Sequence, residues 1–327
     1  MAQDTVAVDA AFRSVNAISP ATYPDLYHDW RQAVAFCRTI PNIPPPCPVT
    51  FHMFWRQRRP GFWRRVRRFG RKQALPVKAF FATQDRARAS LVLWSDEDLS
   101  DNEWLSPFAR SITFRIYRPE LEARGTPLEN RPELYRQRDR RVWRDSDLFR
   151  VLALHNYGGV YLDMDVVLLR NLGALLAQEF VYQWDDFDNE YNNALIHLKQ
   201  RGAFTSALLD GILEIPAGSS NWGRANLRRA FGRGVRVGVL PSAFFDTDWQ
   251  AHHGREKEFR PFSAQTTVDI YNGVFAWHWH NRWDDRIEAG SKFEILERQI
   301  DEQLRSTGQP TPEVSRQTAR RHPSIEH

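Results

Sequence analysis

Apolar and polar positions change period repeatedly along the middle of the chain. Residues 49–55 (VTFHMFW), 89–94 (ASLVLW) and 111–117 (SITFRIY) are short and rich in β-branched and aromatic side chains, and they predict three strands. Residues 75–83, 146–157 and 203–213 read as helices, and so does a C-terminal stretch in which Phe293, Leu296, Ile300 and Leu304 keep helical spacing. Short apolar runs at 160–169, 180–184, 235–240 and 273–278 predict further strands. Strand and helix in alternation predict an α/β fold with a mostly parallel sheet flanked by helices.

The two ends read differently. Residues 1–20 show no period and are expected to be irregular, whereas Leu26, Trp30, Ala33, Val34 and Cys37 mark a short helix. Five prolines between 41 and 48 exclude regular helix or central strand there, so this stretch reads as a linker. Beyond Ser306 the chain is polar, with Pro and Arg, and is expected to be disordered. The expected organisation is an N-terminal extension over 1–47, one α/β domain over 48–305 and a tail over 306–327.

Candidate chemistry concentrates in residues 146–169, SDLFRVLALHNYGGVYLDMDVVLL. Ser146 is the expected helix N-cap, and Gly158-Gly159 the stop, because glycine tolerates the left-handed conformation common at helix ends. If 160–169 forms one strand, Val160, Leu162, Met164 and Val166 share a core face, and Asp163 and Asp165 share the other. Carboxylates so placed repel one another, and partial burial makes their ionisation costly. A divalent ion such as Mg²⁺ or Mn²⁺ removes that conflict and can in turn bind substrate phosphates.

An Asp-x-Asp pair alone means little, because this chain has five, at 96/98, 145/147, 163/165, 186/188 and 246/248. Four of them are expected in turns or on solvated faces. The pair at 163/165 differs in following an apolar strand, and sheet ligands bind beyond the carboxyl ends of strands.

Composition narrows the setting. An apolar-plus-aromatic fraction of 42% over 327 residues supports a packed core, and twelve Trp offer flat faces suited to sugars as well as to cores. The formal charge of +5 suits an anionic small substrate, membrane surface or nucleic acid without choosing among them. Cys37 and Cys47 lack metal-binding spacing and read as free thiols. The first residues lack a signal-peptide pattern and no run is long enough to span a bilayer, so a cytoplasmic protein is expected. Residues 56–72 hold nine Arg or Lys, with Phe62, Val66 and Phe69 on one helical face. That pattern suits peripheral membrane contact or an acidic acceptor. Nucleic acid is not expected, since no nucleic-acid-binding motif accompanies the run.

One resemblance joins these signals. Ser146-Asp147-x-x-Arg150, followed by Tyr157-Gly158-Gly159-Val160-Tyr161-x-Asp163-x-Asp165, closely resembles the sugar-binding DXD region of a glycosyltransferase group. That group includes the yeast initiating α-1,6-mannosyltransferase, the α-1,4-galactosyltransferases and the catalytic domains of clostridial glucosylating toxins. Residues 51–55, 93–96, 240–245 and 278–283 resemble weaker family segments in the same order. The resemblance implies a GT-A-like (Rossmann-like) fold, a nucleotide-sugar donor, with UDP preferred and GDP open, and a retaining transfer of a hexose using Mn²⁺ or Mg²⁺. It implies that Asp147 and Arg150 hold donor sugar and phosphate, that Asp163 touches ribose, sugar or metal-bound water, and that Asp165 ligates the metal. His278, or His280 if the closing motif slips by two, is implied beside the metal. Trp55 is the candidate for stacking on the base, and Tyr161 either touches the donor or is a sheet residue. The acceptor is open among glycan, lipid-linked and protein classes. A catalytically inactive nucleotide-sugar-binding protein is the alternative expectation.

Overall fold

The computed structural model describes residues 12–57, 68–136, 143–214, 222–252, 259–264 and 273–308. A seven-stranded sheet runs through it, with strands β1 (Val49–Trp55), β2 (Ala89–Ser95), β3 (Ile112–Ile116), β4 (Gly159–Leu162), β6 (Phe180–Gln183), β7 (Tyr191–Leu198) and β8 (Gly238–Leu240). The spatial order is β3-β2-β1-β4-β7-β6-β8. All neighbours are parallel except where β7 runs against β4 and β6. The expected α/β, mostly parallel sheet is thus the observed one. A second sheet pairs β5 (Val166–Leu168) with β9 (Ala276–His278), antiparallel.

Alternation along the strands divides the core into two layers. Phe51, Met53 and Trp55 of β1, with Val160 and Leu162 of β4, pack into one apolar cluster. Phe54 and Tyr161 face the other. A sheet buried on both faces explains why its strands read as nearly continuous apolar runs. The first layer holds helices α1 (Trp30–Thr39), α2 (Arg71–Thr83), α6 (Ala243–Ala251) and α7 (Lys292–Ser306) together with β5 and β9. The second holds α3 (Trp143–Tyr157), α4 (Ala203–Leu213) and α5 (Arg224–Gly232).

Two glycines fix the approach to β4. Gly158 (φ 65°) ends α3, and its N–H donates to the carbonyl of Leu154 at 2.9 Å. Gly159 has φ 93°, and a Cβ there would lie 2.2 Å from the Thr50 carbonyl oxygen. Only glycine lets β4 pair with β1 in this register, which sets Tyr161 opposite His52 and Leu162 opposite Met53.

Several expected elements differ. The expected single strand over 160–169 is two: β4 ends at Leu162, a turn carries residues 163–165, and β5 departs on the other face. Ser146 lies inside α3, not at its cap, because the helix begins at Trp143. The strand Tyr191–Leu198 and the helices Arg224–Gly232 and Ala243–Ala251 were not anticipated. Residues 12–16, expected to be irregular, are helical, and Val15 and Ile18 are buried. Tyr27 donates to the Val239 carbonyl at 2.5 Å, and Arg170 donates to the carbonyls of Cys37, Ile40 and Gly273. The segment before β1 therefore packs against the sheet layer. Both cysteines are free, Cys37 buried and Cys47 exposed. Among the described residues no helix is long and apolar enough to cross a membrane.

Candidate functional site

In an open parallel sheet the crevice lies beyond the carboxyl ends of the strands, where the strand order reverses. Here that point falls between β1 and β4, since β2 and β3 lie to one side of β1 and β4 to the other. Asp163 immediately follows β4, and Trp55 closes β1. The site residues gather at this edge in two groups, one per layer.

The first group is built on α3 and β7. Arg150 donates to both oxygens of Asp163, Nη1 to Oδ2 at 3.3 Å and Nη2 to Oδ1 at 3.2 Å. It also donates to the Asn193 carbonyl at 2.5 Å and to Ser146 Oγ at 3.2 Å, and Nη2 lies 3.3 Å from Asp147 Oδ1. The guanidinium sits 4.5 Å over the Tyr161 ring, and the Tyr161 hydroxyl donates to Asp163 Oδ1 at 2.5 Å. Asn193 Nδ2 donates to Asp147 Oδ1 at 3.0 Å. Gly223 closes over this pair: a Cβ there would stand 3.1 Å from both Asp147 oxygens and from Asn193 Nδ2. Asp147 and Arg150 are thus more than an ordinary one-turn ion pair, because Asp163 from the turn after β4 and Asn193 from β7 complete the cluster.

The second group is built on the turn after β4, on β9 and on α6. Consecutive left-handed residues His280 (φ 50°) and Asn281 (φ 59°) turn the chain after β9, so that the Asn281 N–H donates to Asp165 Oδ2 at 2.6 Å. His278 Nε2 lies 3.4 Å from the same oxygen. On its other side His278 Nδ1 lies 3.5 Å from Asp246 Oδ2, and His280 Nε2 is 2.9 Å from Asp246. The His278 and His280 rings stack at 3.9 Å, and Trp249 stacks on His280 at 4.0 Å.

Electrostatics follow the same division. Burial raises Asp163, Arg150 opposes the rise, and the Asp165 charge adds to it, leaving the carboxyl above its usual range. Burial also pushes Asp165 upward, but the His278 charge and the Asn281 N–H outweigh it and hold this carboxyl low. Burial would lower His278, yet Asp165 and Asp246 together bring it up to about 10. Asp246, which burial would raise, is brought down to about 2 by its two histidines. Among the described residues, Asp147, Asp163, Asp165 and Asp246 gather around the Arg150 guanidinium and the imidazoles of His278 and His280.

The residues fit a divalent ion. Asp246, His278 and His280 offer ligand atoms all within 4.8 Å of one another, and Asp165 adds an oxygen beside His278. Carboxylate and imidazole together suit a first-row divalent ion better than Mg²⁺, which prefers an all-oxygen shell.

Some placements depart from the sequence reading. Asp163 and Asp165 do not share a strand face: one reaches the α3 layer and the other the β9 layer, because the strand ends between them. The pair 246/248, expected in a turn or on a solvated face, is buried in α6, and Asp248 pairs there with buried Lys292. The flanking sequence AFFDTDW, dense in aromatics, was the available signal for that burial. His278 and His280 both belong to the cluster, so the two alignments of the closing motif meet at one carboxylate. Trp55 is 7% exposed, edged by Phe69 and Trp283. Tyr161 is a buried sheet residue whose hydroxyl holds Asp163. Asp186, Asp188 and Asn189 lie in the β6–β7 turn, with Asp188 largely exposed, as a solvated turn requires. Most of the basic run, residues 58–67, falls outside the described residues, while its ends are engaged internally: Arg56 with Asp145 and Asp96, Arg71 with Glu297, and Lys72 with the carbonyls of Arg282, Trp283 and Asp285. Asn193, Gly223 and Asp246 were not anticipated as site residues.

Residues 82–182 match the family described as "Glycosyltransferase sugar-binding region containing DXD motif". The resemblance drawn from the sequence is borne out there, and the matched span includes Asp147, Arg150, Tyr161, Asp163 and Asp165 but not Asp246, His278 or His280. No curated protein matches the chain. Among solved structures, a PaToxG glycosyltransferase is similar at 15% identity and a TM-score of 0.44, over 90% of this chain and 98% of that one. A second structure, of a transferase, is similar at 16% identity and a TM-score of 0.38, over 57% of this chain and 86% of that one.

Proposed function

We propose that the chain transfers a hexose from a nucleotide-sugar donor, preferably a UDP-sugar, to an acceptor hydroxyl with retention of anomeric configuration. The observation that carries this reading is the placement of the Arg150–Asp163–Asp147 cluster and the Asp165–His278 pair at the β1/β4 switch point, with the three aspartates and Arg150 inside the matched sugar-binding region. A nucleotide diphosphate sugar has the same division of parts: a neutral sugar that needs hydrogen-bond partners and an anionic leaving group that needs positive charge.

On this reading Asp147 accepts from donor sugar hydroxyls, with Asn193 and Gly223 fixing its carboxylate. Arg150 stabilises the charge that develops on the departing phosphate. Asp163, held by Arg150 and Tyr161, orients the ribose or sugar. Asp165 and His278 hold a divalent ion, Mn²⁺ ahead of Mg²⁺, whose chemistry is to neutralise the leaving diphosphate. The bond from the anomeric carbon to phosphate oxygen breaks, the bond to the acceptor oxygen forms on the same face, and the acceptor proton passes to the departing phosphate oxygen.

The test is a panel of UDP- and GDP-sugars, with Mn²⁺ or Mg²⁺, assayed for release of nucleotide. Metal-dependent release by the wild type, lost in Asp165→Ala with circular dichroism unchanged, is expected. Full activity in Asp165→Ala would remove the assignment. Donor binding without release, even with glycan, lipid-linked and protein acceptors present, would mark a nucleotide-sugar-binding protein without turnover.

A further inference from the structure

Asp246 lies outside both the DXD pair and the matched region, yet it is the most enclosed carboxylate of the site, 1% exposed. It belongs to α6, which loses helical geometry at this residue (φ −141°, ψ 39°). Both of its oxygens meet ring nitrogens: His280 Nε2 lies 2.9 Å from Oδ1 and from Oδ2, and His278 Nδ1 lies 3.5 Å from Oδ2. The opposite nitrogen of His278, Nε2, is the one that faces Asp165, at 3.4 Å. His280 cannot take that place. Its ring is stacked between His278 and Trp249 and met edge-on by Trp184 and Phe259.

An imidazole ligates a metal through one nitrogen, and a hydrogen bond at the other fixes which nitrogen carries the lone pair. We propose that Asp246 is the positioning residue of the metal site: it accepts the Nδ1 proton of His278, so that the Nε2 lone pair is presented beside Asp165, and His280 braces Asp246 from its second side. The assignment rests on the metal-dependent reading above and makes His278, not His280, the nitrogen ligand. On this assignment Asp246 stays off the ion: His280 Nε2 lies 2.9 Å from both of its oxygens, and His278 Nδ1 lies 3.5 Å from Oδ2 and has no other partner among the described residues. The Asp246–His280 pair is a local device: α6 supplies the carboxylate, and the left-handed turn after β9 brings His280 back over it.

The experiment is Mn²⁺ binding to the purified full chain, followed by the electron paramagnetic resonance signal of the free ion, with nitrogen modulation of the bound ion as a second readout. Wild type is expected to bind Mn²⁺ and to show one imidazole nitrogen. Asp246→Asn is expected to bind about 10–100-fold more weakly while keeping one imidazole nitrogen and its circular dichroism spectrum, and Asp246→Glu is expected to recover part of the loss. Unaltered affinity in folded Asp246→Asn would overturn the role. So would two imidazole nitrogens on the wild-type ion, which would mean that His280 ligates it together with His278 and does not brace Asp246. If Asp246→Asn does not fold, the wild-type spectrum and His280→Gln decide. The glutamine retains an N–H for Asp246, so near-normal affinity with one imidazole is expected, and loss of that nitrogen signal refutes the assignment. Failure of the underlying reading looks different: no Mn²⁺ binding by wild type, or normal binding by Asp165→Asn, would sink the metal site as a whole and the positioning role with it.

Discussion

Arg150 is the residue whose removal tests the architecture of the site most directly. Its guanidinium pairs with both oxygens of Asp163, approaches Asp147, and donates to the Asn193 carbonyl and to Ser146 Oγ. Arg150→Met keeps the stem over Tyr161 and deletes every one of these contacts. Asp163 is then left with the Tyr161 hydroxyl, the repulsion of Asp165 and a weaker attraction from His278. Removing one partner of a buried ion pair costs about 3–5 kcal/mol, because the remaining charge stays uncompensated. The side chain of Asp163 is 23% accessible, so water relieves part of the penalty and the lower end, about 3 kcal/mol, is expected. For a chain of this size the unfolding entropy is roughly 0.7 kcal/mol/K, so the melting temperature should fall by roughly 4 °C. The discriminating assay is a double-mutant cycle with Asp163→Asn, read by thermal and denaturant unfolding at pH 8. Asparagine in the same place has no charge to strand, so the double variant should be more stable than the sum of the single losses predicts, by about 1–3 kcal/mol. Strict additivity would refute the coupling of Arg150 and Asp163 as a buried ion pair.

Two further predictions follow from other contacts. Gly223→Ala places a methyl 3.1 Å from the Asp147 carboxylate and Asn193 Nδ2, both part of a crowded cluster. The donor KM should rise several-fold with a melting temperature close to wild type, and an unchanged KM would argue that Asp147 does not contact the donor. His52 accepts from Trp94 Nε1 and meets the Gly158 carbonyl at 3.0 Å, and burial holds its pKa down to about 4. Its folded pKa lies below the unfolded value, so the unfolded chain binds more protons between about pH 4 and 6.5 and stability falls as pH drops through that window. The loss attributable to this residue is roughly 3 kcal/mol, and His52→Gln should flatten the acid limb of a melting-temperature profile; an identical profile would show that another group is responsible.

What the sequence determined by itself is local. Period and composition sufficed for β1, β2, β3, α4 and the α3–Gly158-Gly159–β4 passage, because a strand buried on two faces and a helix stopped by glycine both write themselves into neighbouring residues. The spacing of Asp147, Arg150, Asp163 and Asp165 was legible for the same reason, since all four lie within one helix–turn–strand unit. Tertiary structure decided the rest. That β4 stops at Leu162 depends on β5 finding its partner in β9, over a hundred residues later, and this pairing sends Asp165 into a different layer from Asp163. The aromatics of AFFDTDW hinted that Asp246 is buried, but its place beside His278 and His280 was set only by α6 packing against β9. Asn193 and Gly223 joined the site through strand pairing and the start of α5, contacts between residues 30 to 76 positions apart, for which no local pattern exists.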